Sequence, residues 1–89
     1  MTLYPEITAA FLARESEAAR RMLLDLTPPA PQTIPYGEIW PQVLSRHAVR
    51  KADLNSMAAV MRKDRRLLFP GWPDGKRVPG DGFRLSRPA

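Results

Sequence analysis

Between residues 5 and 26 the apolar positions Ile7, Phe11, Ala18, Met22 and Leu26 fall on one side of a helical wheel. Arg14, Glu17, Arg20 and Arg21 lie mostly away from them. That is the 3.6-residue period of an amphipathic helix. The segment is rich in Ala, Leu, Glu and Arg and has no interior Gly or Pro, while Pro5-Glu6 suits a first turn, where free amides and the helix dipole favour them. Leu12, Ala19 and Leu23 sit off the main stripe. A helix this long exceeds what one small bundle usually covers. Two uses are therefore expected for it: capping the bundle, or packing in part, through Leu12 and Leu23, against a second copy.

The run Thr27-Pro28-Pro29-Ala30-Pro31-Gln32 stops the helix, because proline has no amide hydrogen and restricts the residue before it. Residues 27–33 are expected to form a stiff, extended connector. A second helix is expected from Gly37 to about Arg46, with Ile39, Val43 and Leu44 inward; a start at Gly37 or Glu38 keeps Pro41 within the first turn. After the short joint His47-Ala48-Val49, a third helix over 50–64 places Leu54, Met57, Ala58 and Met61 at i, i+3, i+4 and i+7, a buried stripe. Its other face carries Ala52, Asn55, Ser56, Ala59 and Lys63, with Arg62 at the edge. Leu67-Leu68-Phe69 and Phe83-Arg84-Leu85-Ser86 read as short strands of a hairpin. Between them Trp72-Pro73-Asp74-Gly75 fits a type I turn, and Val78-Pro79-Gly80-Asp81 a type II turn with Gly80 at positive φ.

Charge changes the picture more than composition does. The hydrophobic content of 44% and charged content of 26% over 89 residues are ordinary for one small globular domain. Residues 1–45 carry three basic and five acidic side chains, a balance of −2; residues 46–89 carry eleven basic and four acidic, a balance of +7. Such asymmetry points to a polyanionic partner, most often nucleic acid. No apolar run approaches a membrane span. The first residues lack a basic segment followed by an apolar stretch, so a cytoplasmic location is expected.

Helix, helix, short joint, helix and a two-stranded hairpin with a basic loop is an order that resembles the winged helix-turn-helix superfamily, from about Ile34 to Arg87, with Ile34 as a small strand stub. The resemblance implies an α+β, mostly α, single domain over 1–89: long first helix 5–26, Pro-rich connector 27–33, helix-turn-helix 34–66 and β-hairpin wing 67–87. It implies a third helix in the major groove and a wing on the backbone or in the minor groove. Carried onto this chain, Arg50, Lys51, Asn55, Ser56 and Ala59 would face the groove. Arg62, Lys63 and Arg66 would reach phosphates, and Lys76 and Arg77 would sit on the wing. The residue types suit those roles: Asn can pair with adenine, Ala can touch a thymine methyl, and Arg or Lys can pair with guanine or neutralise phosphate. A solvated polar face is the competing reading of Asn55 and Ser56.

Ile34-Pro35-Tyr36-Gly37-Glu38-Ile39 is also similar to the segment entering the DNA-binding domain of the alkylguanine-DNA alkyltransferases. The resemblance would require a Pro-Cys-His-Arg segment after the third helix. This chain has Phe69-Pro70-Gly71-Trp72-Pro73 there, which excludes alkyl transfer. With no cysteine and one histidine, the sequence offers no thiolate metal site, disulfide or thiol nucleophile, and His47 has no acid nearby in sequence to make a triad with a serine. The four late glycines belong to turns and form no phosphate-binding loop. The expectation is a protein without catalysis, cofactor or metal.

Trp40 is read mainly as core with its indole hydrogen bonded at the edge, and Trp72 as either core or a surface for stacking or docking. Two functions are carried forward. In the first the chain is a duplex DNA-binding protein, a small transcriptional regulator or accessory factor, with a homodimer through the first helix as one of its expected forms. In the second it is a non-catalytic interaction module presenting Trp72 and the first helix to a larger protein partner.

Overall fold

The computed structural model describes the backbone of residues 5–89 and side chains from Ala9 onward. The expectations placed on the first four residues, and on the side chains of Pro5, Glu6 and Ile7, lie outside the described residues. Three helices, α1 (Pro5–Leu26), α2 (Tyr36–Arg46) and α3 (Lys51–Lys63), accompany two short strands, β1 (Ile34–Pro35) and β2 (Arg84–Leu85). The chain is mostly helical with a small antiparallel sheet, which is the α+β class expected.

The core gathers Ala19 and Leu23 from α1, Tyr36, Ile39 and Val43 from α2, Leu54, Ala58 and Met61 from α3, and Leu67, Phe69 and Leu85 from the segments that follow. Ile39, Val43, Leu54, Ala58 and Met61 are buried as their spacing predicts, Leu44 and Met57 are half-buried, and Tyr36 is buried without having been expected there. The α1 stripe is rotated from its expected setting. Ala19 and Leu23 are fully buried, whereas Phe11 is 46% and Leu12 48% exposed. Leu23 therefore offers no surface to a partner, and that assignment is corrected; Leu12 keeps an open face. The cause is length. A helix of 22 residues is about 33 Å long, and its residues 9–14 are all exposed, so Phe11 weights the wheel without meeting the core. The radius of gyration, 14.0 Å, exceeds the roughly 12 Å of a compact chain this long, and the long axis is 47 Å.

The connector is docked. Arg87 donates from Nε to the Thr27 carbonyl at 2.6 Å, and Thr27 Oγ1 donates to the Leu23 carbonyl at 2.7 Å, which together satisfy the end of α1. Ala30 N–H donates to the Arg87 carbonyl and Arg87 N–H to the Pro28 carbonyl, and Arg84 holds Thr33 through its side chain. Arg84 and Arg87 thus each turn part of their guanidinium toward the connector.

The expected hairpin is reduced to one bridge, Leu68 to Ser86. The ladder of β2 runs instead to β1, with Ile34 opposite Leu85 and Pro35 opposite Arg84. β2 lies between two neighbours, and Leu85 is buried beneath them. The helix α2 begins at Tyr36, one residue earlier than expected, because its first amides find acceptors: Tyr36 N–H donates to the Phe83 carbonyl at 2.8 Å and Gly37 N–H to the Asp81 carbonyl at 2.9 Å. Pro41 then lies inside the helix rather than in its first turn.

The turns shift too. Gly71 and Gly75 take positive φ, and Gly80 does not. Trp72 N–H closes onto Phe69, Lys76 N–H onto Pro73, and Phe83 N–H onto Gly80. The Trp72–Gly75 turn therefore closes one residue later than expected, and the Val78–Asp81 type II turn is replaced by one over 80–83. The end of α3 is a Schellman motif in which Arg66 N–H bonds the Met61 carbonyl, Arg65 N–H bonds the Arg62 carbonyl, and Arg65 adopts φ 60°.

Candidate nucleic-acid interface

Helical geometry puts Lys51, Asn55, Ala59 and Lys63 along one outer row of α3, with Ser56 and Arg62 beside it. The loop between Phe69 and Phe83 lies against the later part of that row. A relay of edge-to-face aromatic contacts fixes it there: Tyr36 to Phe69 at 6.5 Å between centroids, Phe69 to Trp72 at 5.0 Å, Trp72 to Phe83 at 5.4 Å. The Trp72 indole N–H donates to the Lys76 carbonyl at 2.9 Å, closing the loop onto its own ring. The Arg62 guanidinium carbon lies 4.4 Å from the ring centroid. Trp72 is half-buried by these contacts, so its main work is to shape the loop, and little of it is left as a docking surface.

The result is a cavity of about 350 Å³ lined by Ala59, Arg62, Lys63, Trp72, Lys76 and Arg77. Residues 62–77 hold six basic and two acidic side chains, the latter Asp64 and Asp74. Among the described residues no carboxylate reaches ion-pair distance of Arg62, Lys63, Arg66, Lys76 or Arg77. Arg66 stands just past the helix end, exposed. Arg62, Lys63 and Arg66, expected to reach phosphates, and Lys76 and Arg77, expected on the wing, lie at one end of α3 and in the segment that follows it.

Of the five residues expected to face the groove, Ala59 lines the cavity, while Arg50, Lys51, Asn55 and Ser56 are engaged within the protein. Arg50 closes its guanidinium on Asp53, Nε at 3.0 Å and Nη2 at 3.2 Å; that bond raises the Arg50 pKa and holds the Asp53 carboxyl below its ordinary range. Lys51 Nζ lies 4.2 Å from the centre of the Trp40 ring and 3.5 Å from Asp81 Oδ1. The Trp40 indole N–H donates to the same oxygen at 3.0 Å. Asn55 Oδ1 accepts from the Tyr36 hydroxyl at 2.7 Å. Burial first, then the negative charge of Asp81, push the Tyr36 hydroxyl well above its ordinary pKa, so it stays a donor. Ser56 Oγ donates to the Ala52 carbonyl at 3.1 Å.

Sequence reasoning missed Glu15. Its Oε1 accepts from Ala48 N–H at 2.9 Å and its Oε2 lies 3.5 Å from His47 Nδ1, tying α1 to the joint before α3. The Ala48 bond, ahead of the partial burial that opposes it, keeps the Glu15 carboxyl below its ordinary pKa. His47 is the C-cap residue of α2. Nothing in the spacing of Glu15 and His47 announced the contact, since it joins residues from two elements. Among the described residues no three His, Asp or Glu side chains gather into a metal-binding group, and no described helix is long and apolar enough to cross a membrane.

No family model, no curated protein and no solved structure matches this chain.

Proposed function

We propose that the protein binds duplex DNA, as a small regulator or accessory factor, through the end of α3 and the loop over residues 70–80. The observation that carries this reading is the cavity in which Arg62 and Lys63 meet Lys76 and Arg77 around Trp72, without acidic partners among the described residues. Cations from two separate segments converging on one cavity, beside a loop fixed by an aromatic relay, suit a polyanion better than they suit solvent alone. The arrangement also resembles a winged helix: β2 is flanked by β1 and Leu68, α3 presents a polar outer row, and a basic loop lies beside its end.

Fluorescence anisotropy of a labelled random-sequence duplex tests it. Each phosphate contact contributes a factor of about eight at 0.1 M salt, so Lys76→Ala with Arg77→Ala weakens binding about sixty-fold there. Unchanged affinity in that variant removes the loop from the interface.

A second reading has its own observation. Phe11 and Leu12 are exposed on the part of α1 that outruns the body, as expected of a helix that docks on a protein partner or a second copy. Sedimentation of the isolated chain, and of Phe11→Ser with Leu12→Ser, distinguishes a self-associating α1 from one that is simply solvated.

A further inference from the structure

We infer that the cavity between α3 and the loop is a phosphate-binding site, and that the protein grips duplex DNA by its phosphodiester backbone without reading base sequence. The inference rests on the duplex-binding reading above and narrows it to one chemistry.

Base readout needs free, aimed donors and acceptors on the first turns of α3, and there they are already committed. Bidentate pairing with adenine uses the Oδ1 and the Nδ2 of an asparagine together, and Asn55 Oδ1 is turned inward to Tyr36. The Ser56 proton is given to Ala52. The Arg50 fork is filled by Asp53 on both arms. Lys51 is shared between the Trp40 face and Asp81. Freeing any of these for a base would break a bond the folded chain already has.

The far end of α3 has the opposite character. Arg62 lies over Trp72, which leaves its N–H edge available for the paired oxygens of a phosphate. Lys63, Lys76 and Arg77 line the same concavity, whose volume equals about a dozen waters, ample for one phosphodiester group. Trp72 is immobilised by Phe69, Phe83 and the Lys76 carbonyl, so Arg62, stacked on its ring, is positioned before any ligand arrives. Asp64 and Asp74 are the acidic groups of this segment, and its balance is still +4. Phosphate contacts supply affinity and register but carry no sequence information.

Two measurements test the inference. Titration with inorganic pyrophosphate is followed by the indole N–H signals of the two tryptophans. The Trp72 signal is expected to shift and saturate, while Trp40, bonded to Asp81 outside the cavity, stays in place as an internal control. Anisotropy is then measured on unrelated duplexes of equal length. Affinities are expected to agree within about twofold, and Lys51→Ala with Asn55→Ala to leave them within about twofold of wild type, because neither side chain contacts the backbone. Circular dichroism checks that this variant is folded, and Lys51→Ala alone serves if it is not. A preference of about tenfold or more for one duplex, lost in that variant, overturns the backbone grip while leaving DNA binding intact. A saturating Trp72 shift with no duplex bound overturns DNA binding and leaves the phosphate site. Tighter binding to duplex RNA than to DNA overturns the choice of polymer, and a silent Trp72 overturns the site.

Discussion

Replacing Gly37 by alanine probes the joint on which the position of the basic loop depends. A Cβ built at Gly37 lies 3.0 Å from Asp81 Cβ and 3.1 Å from the Asp81 carbonyl oxygen. The oxygen is backbone and accepts the Gly37 N–H, so it cannot swing aside as a side-chain tip would. Relief requires the 81–83 segment to back away from α2. That loosens the Gly37–Asp81 backbone bond, about 1 kcal/mol, and strains a packed contact by about 1–3 kcal/mol. The gain in helix propensity is at most about 1 kcal/mol and smaller in a first turn. The net destabilisation is therefore about 1–3 kcal/mol, which for a domain of this size lowers Tm by roughly 5–20 °C. Thermal unfolding followed by circular dichroism measures it. A Gly37→Ala protein as stable as wild type, or more so, would refute the claim that close approach of Asp81 demands glycine there.

Arg65→Gly should stabilise the fold by about 1 kcal/mol, because Arg65 occupies the left-handed position of a Schellman motif at φ 60°, where glycine is unstrained; urea unfolding reads the shift in midpoint. Leu23→Ala should cost about 2–4 kcal/mol, since Leu23 is fully buried, whereas Leu12→Ala, on an exposed side chain, should change the same urea curve by less than about 0.5 kcal/mol. Folding lowers the Glu15 pKa, so its contribution is complete above the ordinary value of 4.5 and fades as pH falls through the lowered one; Glu15→Gln should flatten that part of an acid-unfolding profile, read by circular dichroism.

The helices were legible because their cause is local. The stripes Ile39–Val43 and Leu54–Ala58–Met61 follow from spacing, and both are buried. For α1 the same logic mis-set the inward face, because it cannot know where the body stops: Phe11 counts on the wheel and projects beyond the core. Proline and glycine announced turns around 70–82, yet which residues close them depends on acceptors such as Phe69 and Gly80. The partner of β2 was hidden for the same reason. Alternation marks Arg84-Leu85-Ser86 as half-buried, but pairing with Ile34–Pro35 is decided by contacts far apart in the chain. At the site, the charge asymmetry pointed to the second half of the chain, where Arg62, Lys63, Lys76 and Arg77 line one cavity. Polarity on the outer face of α3 could not show that Asn55 is engaged by Tyr36, or Lys51 by Trp40 and Asp81, since each partner comes from another element.

The most direct test of the central claim is the salt dependence of binding to a random duplex. Five cations at the end of α3 and on the loop, Arg62, Lys63, Arg66, Lys76 and Arg77, predict a slope of log K against log salt of about −4.5. A slope near that value supports a grip on phosphates by this surface. A slope near zero, or no binding at low salt, would contradict it.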